Sequence, residues 1–393
     1  MLHCNIKRGS SYASGKTVMN MGLNLDRLVR PRSARRPSPL RRLENFGSNP
    51  GHLQGWAFVP TTGAITSERV PLVVALHGCT QTAEGFDAGT GWSELAARHG
   101  FAVLLPEQQR ANNPNLCFNW FEPGDARRRT GEPLSIVQMI DHLVAAGKVD
   151  PERIYVTGLS AGGAMTSIML ATYPEKFAGG AILAGLPHGA ASSVQEALQQ
   201  MRAYTPSSRT DGRIVREAAD HGPDWPAVAI WHGTADTVVD YSNAEGIVRQ
   251  WQEIHGVSGP ASVEDIVDGH PHRAWRDGAG RIVIEEYRVL GMGHGVPLSA
   301  AGDCACGETG AFMLEAGISS TVHSARSWGL LDSAAVALPS AMELPSEPEH
   351  ARPSPSSPVQ APAKEQDRAS NPSPTTGVGR VIEDALRAAG LMR

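Results

Sequence analysis

Short apolar runs that close on glycine or proline recur along this chain, and they restrict its fold more than any other feature. Pro71-Leu-Val-Val-Ala-Leu-His-Gly78 is one, and Phe101-Ala-Val-Leu-Leu-Pro106 repeats it. Arg153-Ile-Tyr-Val-Thr-Gly158, Gly180-Ala-Ile-Leu-Ala-Gly185 and Ala227-Val-Ala-Ile-Trp-His-Gly233 follow the same form. Such runs are strand-length and lack polar alternation, which is the pattern of strands buried on both faces. Residues 55–60 read as an earlier strand. Residues 281–290 alternate more, as a strand nearer a sheet edge would. Helical patterns separate these runs at 91–99, 134–147, 162–173 and 242–255. The second has a stripe of Ile136, Met139, Ile140, Leu143 and Val144. Strand–helix alternation of this kind predicts a mostly parallel sheet with helices on both faces. Residues 191–224 break the rhythm with a helical piece at 194–201 and a polar stretch. An insertion there falls between two core strands, where lids of such folds sit.

The ends have a different composition. Residues 1–44 carry Lys7, Arg8, Lys16, Arg27, Arg30, Arg32, Arg35, Arg36, Arg41 and Arg42 against Asp26 and Glu44. They read as a basic, solvated leader without the apolar run of a signal peptide. Met19 and Met21 are alternative starts. The globular domain is expected over 45–331. A Pro/Ser/Ala-rich linker is expected over 332–380 and a short amphipathic helix over 381–393. A net charge of -5 gives no reason to expect nucleic-acid binding. No stretch is long and apolar enough to span a membrane. The five cysteines are Cys4, Cys79, Cys117, Cys304 and Cys306. They have no zinc spacing, so no metal is expected, and Cys304-Ala-Cys306 reads as a loop with two thiols.

Gly158-Leu-Ser-Ala-Gly162 carries the chemistry. It follows a buried-strand pattern and opens a helical one, which is the context of a nucleophile elbow. Ser160 on that sharp turn presents its hydroxyl beside a helix N-terminus. A serine needs a base, and in this arrangement the order is serine, acid, histidine. Asp236, in the loop after Trp231-His232-Gly233, is the expected acid. His294, in Gly291-Met292-Gly293-His294, is the expected base. Asp240 is the rival acid. His232 reads as a packing or hydrogen-bonding residue, and His270 and His272 as an exposed turn. His188 and His221 precede the acid, so the order counts against them. The oxyanion donors are expected at Ala161 N–H and Cys79 N–H, with His77 bracing the loop. Trp120 and Phe121 either bind substrate, holding an apolar acyl chain or a sugar face beside the cleft, or cap the core, and both readings stay open. Asn119 is a candidate polar contact.

These stretches together resemble the family of short-chain polyhydroxyalkanoate (polyhydroxybutyrate) depolymerase esterases. The likeness rests on Pro71 to Gln81, Cys117-Phe-Asn-Trp-Phe121, Tyr155 to Met165, Trp231 to Asp236, and Gly291 to His294. It covers roughly residues 46–331. It implies an α/β-hydrolase fold and ester hydrolysis by Ser160, Asp236 and His294, without cofactor. It also implies Cys79 as an oxyanion donor and a Cys79–Cys117 disulfide. The implied partner is an ester substrate, a hydroxyalkanoate polyester or oligomer. Feruloyl and acetylxylan esterases are related, so a cell-wall ester is the alternative. A non-catalytic binding protein on a hydrolase fold is the remote one. Secreted polymer-degrading members carry a signal peptide and a substrate-binding domain. The basic leader and low-complexity tail shift the expectation toward soluble oligomers. The family implies an extracellular enzyme, with a cytoplasmic one as the alternative.

Overall fold

The computed structural model describes residues 38–60, 69–207, 211–219, 224–300, 302 and 305–331. The expected linker over 332–380 and helix over 381–393 lie outside these residues. So do Cys4, His221, Cys304 and most of the leader.

Ten strands form one sheet. They are β1 (Arg41–Leu43), β2 (Gln54–Phe58), β3 (Val70–Leu76), β4 (Ala102–Glu107), β5 (Val149–Leu159), β6 (Gly179–Leu183), β7 (Ala227–Gly233), β8 (Val263–Val267), β9 (His270–Arg276) and β10 (Ile282–Val289). Their order is β1-β2-β4-β3-β5-β6-β7-β10-β9-β8. The six from β4 to β10 run parallel, and both edges are antiparallel. The eight helices are α1 (Ala83–Thr90), α2 (Trp92–His99), α3 (Gly131–Ala145), α4 (Ala161–Thr172), α5 (Val194–Arg202), α6 (Gly212–Ala218), α7 (Ser242–His255) and α8 (Ser320–Ser327). Two short strands, β11 (Val296–Leu298) and β12 (Met313–Glu315), pair separately.

The apolar runs behave as their pattern requires. In β3, Leu72, Val74 and Leu76 enter one core while Val73 and Ala75 enter the other. The first core contains Ile136 of α3, Ile168 of α4 and Trp251 of α7. The second contains Phe86 of α1, Leu95 of α2 and Ala325 of α8. This is the α/β-hydrolase arrangement, a mostly parallel sheet covered on both faces.

Two expectations need correction. The leader was expected to reach residue 44, yet Arg41–Leu43 pair with β2 and Leu40 is buried. The strand near 281–290 is β10, third from one end of the sheet and so nearer an edge than β3, β5, β6 or β7, with the hairpin β8–β9 beyond it. His270 and His272 are therefore not an exposed turn. They lie in β9 at 8% and 7% exposure. The turn is one step earlier, at Asp268 (φ 48°) and Gly269 (φ 87°). Two consecutive left-handed residues make the tight turn that suits twisted strands, and Asp-Gly is its sequence signal. Helix α1 had no expectation at all. Gly91 at φ 74° separates it from α2, and a Cβ there would meet Gly307 N at 2.3 Å. Its segment also contains Gly85 and Gly89, which weaken any helical signal.

Candidate active site

Because β3, β5, β7 and β10 run parallel, the loops that follow them meet at one edge of the sheet. Those loops carry Cys79, Ser160, Asp236 and His294.

Ser160 sits between β5 and α4 with φ 57° and ψ -115°, a conformation that non-glycine residues avoid. It is held there by two hydrogen bonds. Ser160 N donates to Leu183 O at 2.9 Å, and Ala164 N donates to Ser160 O at 2.8 Å. The neighbouring glycines are required by close approach. A Cβ on Gly158 would lie 2.4 Å from Gly162 O, and one on Gly162 would lie 2.2 Å from Leu76 O. Both contacts are with backbone, which cannot swing aside. Gly162→Ala is therefore expected to cost more than about 3 kcal/mol. A thermal melt of the purified variant checks this, and an unchanged midpoint would refute the close-approach argument.

The acid and histidine loops are stitched together. Thr234 N donates to Val289 O, Ala235 N to Met292 O, and Gly291 N to Thr234 Oγ1, all at 2.9–3.0 Å. A Cβ on Gly233 would lie 2.2 Å from Met292 O, so only glycine allows the two loops this close. Asp236 Oδ1 accepts from Val238 N at 2.8 Å and Val239 N at 2.9 Å. Asp236 Oδ2 lies 2.8 Å from His294 Nδ1. Burial opposes ionisation of Asp236. The hydrogen bonds from His232 and His294 outweigh it and hold the carboxyl well below the usual carboxylate range. An ionised carboxylate only accepts, so His294 Nδ1 carries a proton, which leaves Nε2 as the nitrogen that accepts and gives up a proton. The rival Asp240 is used elsewhere: its Oδ1 accepts from Ser242 N and Ser242 Oγ at the start of α7.

Ser160 and His294 open into one cavity. Its wall is mostly apolar, with Leu186, Leu198, Met201, Val238 and Phe312 among the residues, and Gln81 is one of few polar ones. Helix α5 of the 191–224 insertion supplies one side. Asp240 N anchors its end by donating to Met201 O at 2.7 Å. The broken strand–helix rhythm was the signal for that wall. Phe312 left no signal in the sequence.

A family model, Esterase PHB depolymerase, matches residues 55–265. The chain belongs to this family. It is 43% identical to poly(3-hydroxyalkanoate) depolymerase C of Paucimonas lemoignei, over 74% of this chain and 70% of that protein. It is 32% identical to feruloyl esterase B of Neurospora crassa, over 66% of this chain and 88% of the relative. An acetylxylan esterase of Coprinopsis cinerea is 30% identical over 66% of this chain and 70% of its own. Among solved structures, an acetyl xylan esterase from Aspergillus awamori superposes with a TM-score of 0.61. That match covers 74% of this chain and 99% of the other at 21% identity, and it shares the fold. Like its family, the chain is a carboxylic ester hydrolase that takes ester substrates. Among the described residues, no helix is long and apolar enough to cross a membrane.

In this PHB-depolymerase-type esterase, the loop after β3 is tied to the aromatic loop. Cys79 and Cys117 form a disulfide, and Thr80 N donates to Asn115 O at 2.7 Å. Gly78 N donates to Gln81 Oε1 at 2.8 Å. Among the described residues, neither Cys79 N–H nor Ala161 N–H has a protein acceptor. His77 braces this loop. Gln108 N donates to its Nε2 at 3.1 Å, so Nδ1 carries the proton and donates to Gly78 O at 2.8 Å. Trp120 and Phe121 line the cavity and also belong to the core. Asn119 does not line the cavity. Its Oδ1 accepts from Asn113 Nδ2 at 2.8 Å, and its backbone N–H donates to Glu132 Oε2 at 2.9 Å. The loop's own polar network consumes it. Glu132 is fully buried, and burial together with Asp125 pushes its carboxyl well above the usual range.

Cys306 is buried, and burial pushes its thiol up to about 12, so it is an inert thiol rather than a nucleophile. Burial lowers His77 and His188 from 6.5 to about 4 each. The unfolded chain protonates these groups near pH 6.5, and the folded one resists until about 4. Their contribution to stability is thus present above pH 6.5 and lost as pH falls toward 4. The melting temperature is expected to fall between pH 7 and pH 4.5, and His188→Asn should show a smaller fall. Equal falls in both proteins would remove His188 from this account.

Proposed function

We propose that this chain hydrolyses short-chain 3-hydroxyalkanoate esters, as polyester or soluble oligomers, through an acyl-enzyme on Ser160. The observation that carries this reading is the apolar cavity into which Ser160 and an Asp236-backed His294 both open. Ser160 Oγ attacks the ester carbonyl while His294 Nε2 takes its proton. The tetrahedral oxyanion is held by Cys79 N–H and Ala161 N–H, two donors with no protein acceptor among the described residues. Collapse of the intermediate breaks the ester bond, and His294 returns the proton to the departing alcohol. A water then gives a proton to His294 Nε2 and attacks the acyl carbon, and collapse breaks the bond to Ser160 Oγ, which takes that proton back from His294 as the acid leaves. Asp236 holds the imidazole in the correct tautomer and stabilises its protonated form.

A cavity with an apolar wall suits aliphatic acyl units, and the depolymerase relative is more similar than the feruloyl and acetylxylan relatives. Those relatives support a second reading, a cell-wall aryl or acetyl ester hydrolase. Hydroxybutyrate trimer and methyl ferulate, assayed side by side, separate the two. The first reading expects kcat/KM at least tenfold higher on the trimer, and a preference for ferulate overturns it. We also read the site of action as extracellular, because the Cys79–Cys117 disulfide is of a kind that persists in oxidising compartments.

A further inference from the structure

Asp236 Oδ2 is shared by two imidazoles. His294 Nδ1 is one neighbour, and His232 Nε2, at 3.3 Å, is the other. His232 is the penultimate residue of β7 and has no exposed surface. Its Nε2 also lies 2.8 Å from Val239 O. A carbonyl only accepts, so Nε2 carries a proton that it donates to Val239 O, and Asp236 Oδ2 is the second oxygen within 3.3 Å of that nitrogen. Its Nδ1 is buried and has no partner among the described residues. The contacts close a ring. His232 Nε2–H reaches Val239 O, and Val239 N–H reaches Asp236 Oδ1 at 2.9 Å. Val238 and Val239 face the cavity, so the same ring joins the acid to the substrate wall.

The imidazole is fixed from behind. Tyr241 packs edge-on against it at 5.6 Å and 74°. The Tyr241 hydroxyl donates to Glu286, a fully buried carboxylate that also accepts from Arg273 Nε at 2.6 Å. The Arg288 guanidinium lies over the Tyr241 ring at 4.7 Å. None of these groups lines the cavity.

We infer that His232 is a positioning residue for Asp236, closing the acid loop and giving Oδ2 a second N–H neighbour besides His294. The inference rests on the proposed roles of Asp236 and His294. An N–H beside Oδ2 draws negative charge away from the bond to His294. Without it, the Asp236–His294 pair holds its proton more tightly, and the base is freed only at higher pH.

The test compares His232→Phe with His232→Gln, whose side-chain N–H stands the same number of bonds from the backbone. In His232→Phe, kcat is expected to fall about tenfold or more, with KM little changed. The acid limb of the kcat/KM profile should move up by about half to one pH unit, the size of one lost hydrogen bond. His232→Gln should return the limb toward its wild-type position. An unmoved limb in His232→Phe, or an equal shift in both variants, overturns the inference. Should His232→Phe not fold, 15N-histidine NMR of the wild type decides. The Nε2–H tautomer at His232 supports the inference and the Nδ1–H tautomer overturns it. Asp236→Asn is assayed alongside. Full activity there removes the underlying reading of Asp236. Lost activity there with an unmoved limb in His232→Phe removes only the role of His232.

Discussion

Ser160→Ala is expected to lower p-nitrophenyl butyrate hydrolysis by about ten-thousand-fold or more, with no loss of folded protein. The size follows from the proposed mechanism: without the Oγ that mechanism forms no acyl-enzyme, and only cavity binding and the proposed oxyanion donors remain. The folding half follows from the geometry. Ser160 is held through its backbone N–H and carbonyl, both of which alanine keeps. Alanine meets the same positive φ, so the strain at the turn is neither added nor relieved. The melting temperature should stay within a degree or two. A variant that melts like the wild type and retains a tenth of its activity would sink the mechanism. A variant that unfolds would show instead that the hydroxyl supports the turn.

The central sheet and most of the site were legible because both depend on local pattern. A strand buried on both faces is apolar over most of its length, and β3, β4 up to Pro106 and β7 up to Trp231 have that form. A serine between such a strand and a glycine-bounded helix leaves few alternatives for the loop. Chain order then pointed to Asp236 and His294, whose side chains meet at 2.8 Å. The failures have a different origin. The hairpin β8–β9 contains Glu264, Asp265, His270, His272 and Arg273, so its polarity read as a surface turn. Its stability comes from cross-strand partners that sequence order hides, such as Arg273 with Glu286 and His272 with Asp265. The Asp268-Gly269 dipeptide was the available local signal. Asn119 failed for a similar reason. A polar residue between two aromatics suggests a ligand contact, but it answers a buried carboxylate thirteen residues away. Nothing local marks Glu132 as buried.

Removing the Cys79–Cys117 disulfide is expected to weaken both the fold and the reaction. The bond spans 38 residues, and closing a loop of that length in the unfolded chain is worth about 4 kcal/mol on the chain-entropy account. For a domain of this size that corresponds to a fall of about 8 to 16 °C in melting temperature. The catalytic effect comes from the position of Cys79. Its N–H is one of two proposed oxyanion donors, and losing one such donor costs about a hundred- to a thousandfold in kcat. The reduced loop keeps two other ties, Thr80 N to Asn115 O and Gly78 N to Gln81 Oε1. The donor is therefore loosened rather than lost, and a fall in kcat of about ten- to a hundredfold is expected, below the full cost of a missing donor. The Cys79→Ser, Cys117→Ser double variant isolates this effect from the buried thiol of Cys306. Intact-mass measurement after alkylation of the native, non-reduced enzyme checks the premise, since both thiols must resist labelling. If they resist, yet the double variant keeps wild-type kcat while losing thermal stability, the bond supports the fold without positioning the oxyanion donor. The Cys79 N–H would then have to be held by the backbone of its loop alone.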